Sequence, residues 1–215
     1  AQNATPFPPF ASPVALPTIV ERAGGPLKIV TSTTILADLA RQIGGERVDV
    51  QSLLPANADP HDYEPSPDDV IAIEDADLVI LHGLQLDTWV DPLIESAQTG
   101  APVIVATKGI ETIGSDDEHF SGGDPHVWFD PMRVKTMVAT IQAALAAADP
   151  DGADFYRQCL DAYDTALDQL DSEIQQRIDL IPEERRVLVT NHDALEYYAD
   201  RYGLTIVGTV IPGLD

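Results

Sequence analysis

The sequence predicts an α/β protein built on a parallel sheet, and three observations carry that expectation. Short β-branched runs alternate with stretches of helical period in repeated strand–loop–helix units, the pattern of a parallel, doubly wound sheet. One apolar stripe then continues through a helical stretch of about 26 residues. Beyond it, strand–helix–strand patterning resumes, so two sheet regions are expected on either side of a long helix.

The elements follow in order. Residues 1–26 hold six prolines with Ala, Ser and Thr, closed by Gly24-Gly25-Pro26. Such a segment buries too little apolar surface to offset its ordering entropy, so it is expected to be a disordered leader or tether. LKIVTS, from Leu27, is the first strand, and TTILADLARQIGG is a capped helix stopped by Gly44-Gly45. VDVQSLLP and DADLVILHG are further strands, separated by a polar loop and a short helix starting near Pro67. DTWVDPLIESA reads as a helix, APVIVAT as a strand, and Pro131 to Ala148 as a helix with proline at its first position.

Asp149-Pro150-Asp151-Gly152 breaks the chain before the long helix. There Tyr156, Leu160, Tyr163, Leu167, Leu170, Ile174, Ile178 and Ile181 recur at helical spacing until Pro182. At 1.5 Å per residue it would span about 39 Å. It is either a spine between two lobes or a long packing helix within one. RRVLVTN, ALEYYADRYG and LTIVGTVI then read as strand, helix and strand. The expected organisation is a tether over 1–26, an α/β lobe over 27–148, a connecting helix over 149–182 and the start of a second α/β lobe over 183–215. That last piece is too small to fold alone and is expected to be incomplete.

Composition excludes several classes. Twelve basic against 36 acidic residues give a net charge of −24, which repels phosphate backbones and anionic lipid, so no nucleic-acid partner is expected. The lone Cys159 rules out an intramolecular disulfide or a cysteine-type zinc site, and its default role is a small buried hydrophobe. No run approaches the ~18 apolar residues that cross a bilayer. The opening residues lack the basic start and apolar core of a signal peptide, and a first residue of Ala rather than Met fits a processed or trimmed start.

The chemistry concentrates in histidines. His61, His126 and His192 each follow a strand-like run and sit among carboxylates or prolines. Ligands in open α/β sheets bind outside the carboxyl ends of strands, where such loops converge. Their separations of 65 and 66 residues rule out a local HExxH motif, so only the fold can unite them. Three imidazoles in one cleft suit zinc better than magnesium or calcium, which take oxygen shells. Bland readings stand beside this one. His61, in a loop stiffened by Pro55, Pro60, Pro65 and Pro67, would also serve as a surface residue. His192 would also serve at a helix start. Asp130 is a candidate to orient His126, and equally an N-cap for the helix from Pro131. His82 also ends a strand and could face the same cleft, but it is not counted among the expected ligands; His119 sits in an acidic loop and reads foremost as an exposed loop histidine. Trp89 and Trp128 read as core.

HDYEPSPDD, DPHVWFDP and TNHDALEYYADRYGL, with IPEERRVLVTNHDA and IPGLD in order, resemble the metal-receptor proteins of bacterial zinc/manganese ABC importers over Leu27–Asp215. The resemblance implies a two-lobed, parallel-sheet solute-binding fold with a long connecting helix, and direct metal binding by His61, His126 and His192. Histidine at the third position resembles the zinc receptors, whereas manganese receptors tend to carry glutamate there, so Zn2+ is expected as transported ligand ahead of Mn2+. It further implies an extracytoplasmic monomer, periplasmic or tethered through its N-terminus, that delivers metal to a membrane permease. Two features depart from the family. The chain stops before the region that usually supplies a carboxylate ligand, and the loop before the second motif is short and acidic rather than histidine-rich. The rival class is a zinc hydrolase with Glu64 or Asp130 as general base; no local hydrolase motif accompanies it, and the protein is expected not to be an enzyme.

Overall fold

The computed structural model describes residues 22, 24–60, 63–114 and 122–210. Strand β1 (Leu27–Thr31) pairs in parallel with β2 (Val48–Ser52) on one side and β3 (Leu78–Leu81) on the other; β3 pairs in parallel with β4 (Val103–Val105). The order β2-β1-β3-β4 puts all four carboxyl ends on one edge. Alternate residues of the inner strands feed opposite cores. Leu27, Ile29, Leu78 and Ile80 enter one, and Val30, Val79 and Leu81 the other. All four residues of β3 are buried, as expected of a central parallel strand covered on both faces.

Helices α1 (Thr34–Gly44), α4 (Pro131–Ala148) and α5 (Ala153–Ile178) contribute to the first core. Helices α2 (Pro67–Glu74) and α3 (Asp91–Ala97) contribute to the second. Helix α1 is capped by Thr33, whose hydroxyl accepts from the Leu36 N–H, and ends at Gly45 with φ +53°, a conformation that favours glycine. Helix α2 begins in a capping box of Ser66 and Asp69. The expected helix over DTWVDPLIESA is instead a 3₁₀ turn, Thr88–Val90, followed by α3. Pro92 fits the first turn of α3, where a missing N–H costs nothing.

Helix α5 has the expected 26 residues but starts at Ala153 and stops at Ile178. The stripe continues to Ile181 through turn hydrogen bonds to Arg177 and Ile178. Phe155, Tyr156, Cys159 and Leu167 are buried in the first core, while Leu170 is exposed. The Cys159 thiol is fully buried, and burial pushes its pKa up to about 11. At the base of α5, buried Arg47 meets Asp149 at 2.6 Å, and the Tyr156 hydroxyl donates to the same carboxylate at 2.7 Å. Arg22 lies 3.8 Å from Asp149; residues 1–21 and 23 of the expected tether lie outside the described residues.

After α5, β5 (Val187–Thr190), α6 (Glu196–Tyr202) and β6 (Thr205–Thr209) form a second, two-stranded parallel sheet. Its register shifts after Leu188, where Val189 pairs with Gly208. Helix α6 ends at Gly203 in the left-handed conformation, φ +66°. No helix among the described residues is long and apolar enough to cross a membrane.

Candidate metal centre

His126 follows Asp124-Pro125 and starts the 3₁₀ turn Val127–Phe129 that leads into α4. It is 5 % exposed. Asp124 Oδ1 accepts from the His126 backbone N–H at 2.8 Å and lies 2.7 Å from ring Nδ1. That contact places the proton on Nδ1 and leaves Nε2 as the basic nitrogen, the arrangement metal-binding histidines usually adopt. Asp124, rather than Asp130, orients this ring. The signal was in the sequence: an aspartate two residues ahead of a histidine, with proline between, can bond backbone and ring together.

Asp130 does other work. Its side chain caps α4 by accepting from the Met132 N–H at 2.9 Å, and pairs with Arg133 and, at 3.4 Å, with Arg201. At 1 % exposure and so engaged, it is a poor general base. Glu64, the other base considered for a hydrolase, is exposed.

His192 lies two residues beyond β5 in a partly buried segment before α6. Leu195, not His192, is the N-cap of that helix. Across 66 residues of chain, His192 Nε2 stands 3.2 Å from His126 Nε2, with the rings edge-to-face at 5.0 Å between centroids. Two tetrahedral ligands at zinc–nitrogen distances of ~2.0–2.1 Å would sit about 3.3 Å apart. The spacing therefore fits two imidazoles converging on one ion.

His82 is wholly buried and does not offer a ligand. Its Nε2 meets the Pro125 carbonyl at 2.8 Å, its backbone N–H donates to Asp87 and Ser32, and Thr107 donates to its carbonyl. Burial lowers its pKa, so a neutral ring donates from Nε2 to Pro125 and props the His126 loop. Trp128 packs edge-on between the two rings, 5.2 Å from His82 and 5.1 Å from His126. The tryptophans are half-buried against the cores, Trp128 on the first and Trp89 on the second.

His61 and His119 lie outside the described residues. The chain on the far side of His61 is anchored: the Tyr63 hydroxyl donates to Asp69 at 3.0 Å and its ring packs on Trp89. Among the described residues, no three His, Cys, Asp or Glu side chains gather as a metal-binding group. His126 and His192 are the two expected ligands seen together.

Two parallel sheets joined by a long helix, with histidines meeting between them, define the class of α/β solute-binding proteins. Residues 29–214 match the family described as zinc-uptake complex component A, periplasmic, and the chain belongs to that family. It is 37% identical over 185 residues to the manganese-binding lipoprotein MntA of Halalkalibacterium halodurans, covering 86% of this chain and 61% of that protein. It is 34% identical over 185 residues to the manganese ABC transporter substrate-binding lipoprotein PsaA of Streptococcus pneumoniae, covering 83% and 60%. Zn(II)-bound AdcA from Streptococcus pneumoniae superposes with a TM-score of 0.77 at 31% identity, over 89% of this chain and 40% of that one. The chain spans about 61% of the length of the first curated relatives it matches. The family is one of receptors rather than enzymes, and its members are named for both zinc and manganese.

Proposed function

We propose that this chain is an extracytoplasmic receptor that binds a divalent metal ion through His61, His126 and His192 and delivers it to the permease of an ABC importer. The observation that carries the reading is the 3.2 Å approach of His126 and His192, with Asp124 fixing the His126 tautomer. His126 comes from the segment after the four-stranded sheet and His192 from the segment after β5. The lobes proposed are residues 27–148 and 183–215, with 149–182 as the connecting segment built on α5. Small movements of these parts about a stiff helix would separate the ligands and release the ion. Extracytoplasmic placement, with tethering through the N-terminal segment, is supported by relatives named as lipoproteins. The receptor acts as a monomer.

Zinc is the proposed cargo, because imidazole nitrogen suits zinc better than the harder manganese ion. Manganese is the second reading, favoured by the names of MntA and PsaA. Thermal unfolding of metal-stripped protein with each ion decides between them. An ion at 100 times its Kd stabilises the native state by about 2.7 kcal/mol, a rise of roughly 5–10 °C for a domain of this size. A zinc-selective rise, lost in His126→Ala and His192→Ala, is expected. A larger rise with manganese overturns the cargo, and full binding in both variants overturns the site.

A further inference from the structure

The regions carrying His126 and His192 are clasped by one helix. Tyr197 and Arg201 lie four residues apart on α6 and so share a face. The fully buried Tyr197 donates from its hydroxyl to the Asp124 carbonyl at 2.6 Å and accepts from the Ile113 N–H at 3.1 Å. The Arg133 guanidinium lies 4.5 Å over its ring. Arg201 Nε donates to Asp171 on α5 at 2.5 Å and lies 3.4 Å from Asp130. The Tyr202 hydroxyl adds a bond to Asp171 at 2.9 Å. Asp124 and Asp130 bracket His126 on its two sides, and α6 begins four residues after His192. One face of α6 thus grips both ends of the His126 loop.

We infer that Tyr197 and Arg201 are positioning residues that seat the His192 segment on the His126 loop, assembling the metal pocket before an ion arrives. The inference rests on the receptor reading above. Its physical content is pre-organisation: ligands already at coordination spacing need little further ordering when the ion binds. If loss of the clasp leaves a tenth of the molecules assembled, the apparent Kd rises about tenfold. A clasp that served stability alone would affect the whole fold and leave the pocket no more disturbed than other regions.

Zinc affinity by chelator competition and amide exchange in the metal-free protein separate these roles, using Y197F, R201Q and R201K. Y197F and R201Q are expected to weaken zinc about tenfold while still folded at the assay temperature. Exchange in the metal-free variants is expected to rise at 122–130 and 190–196 but not in β1 to β3. R201K, which keeps a cation between Asp130 and Asp171, should recover part of the loss. Wild-type affinity in the folded variants, or exchange raised evenly over both sheets, overturns the inference. R201Q carries the test alone if Y197F does not fold, since Arg201 is 28 % exposed. His192→Ala is the control for the underlying reading. Wild-type zinc affinity there removes the site itself, whereas weak binding there with unaffected clasp variants removes only the clasp.

Discussion

The four-stranded sheet and the β5–β6 pair use the same parallel geometry to opposite effect. Every residue of β3 is buried, whereas on the smaller sheet Val187, Val189 and Val207 are 53 %, 66 % and 59 % exposed. His126 thus stands beside a sheet whose central strand is covered on both faces, while His192 extends from a strand pair whose apolar side chains are uncovered in the part of its relatives' length that this chain spans. The difference teaches where rigidity at the candidate site originates. On the first side it comes from packing around a central strand. On the second, among the described residues, it comes from the docking of α6, whose buried Tyr197 joins the first core and whose polar contacts reach α5 and the His126 loop.

Core substitution should break this contrast most strongly. Ile80→Ala, at a fully buried position, is expected to cost about 2–5 kcal/mol through lost burial and a residual cavity. Val189→Thr, on the exposed face of β5, should stay within about 0.5 kcal/mol. Denaturant titration of both variants measures the gap, and equal losses would show that the small sheet is as well covered as the large one.

The next effect lies where the two regions meet. Asp124→Asn preserves side-chain shape but removes the carboxylate charge that favours Nδ1–H of His126. Zinc affinity is expected to fall about 10–100-fold. A competition assay reads the loss, and an unchanged Kd would assign Asp124 to loop structure alone.

The smallest effect is in acid. Arg201 donates a hydrogen bond to Asp171, and Tyr202 adds another; together they outweigh burial and hold this carboxyl below its usual range. A lowered folded-state pKa stabilises the protein above the unfolded value, about 3.9. That contribution is lost as pH falls through the folded value. In R201Q the melting temperature should therefore fall less steeply than in wild type below about pH 5. Parallel curves for the two proteins would dissociate Asp171 from Arg201 in solution.

Much of the fold was legible because short β-branched apolar runs alternate with stretches of helical period. Gly45 and Gly203 mark helix ends, whereas the division of β1 and β3 residues between two cores emerges only from the fold, since LVIL is apolar throughout. Pro92 was the signal that DTWVDPLIESA could not be one helix. At the site, the histidines could be picked out, but their separation in space could not. The 3.2 Å approach depends on how the β5 segment docks on the His126 loop, through tertiary contacts such as Tyr197 to Asp124. No periodicity encodes such contacts. His82 misleads for the same reason: a histidine closing a strand looks alike whether it faces a cleft or, as here, lies buried beneath a neighbouring loop.

The buried Cys159 makes the protein a convenient optical instrument. Its thiol is shielded in the first core and its pKa is pushed up to about 11, so thiolate-seeking dyes should pass over the folded chain. A cysteine introduced on the exposed face of β5 and another on α2 could therefore carry a donor–acceptor pair with no background labelling. The distance between the two sheets could then be followed in real time as metal is added and withdrawn.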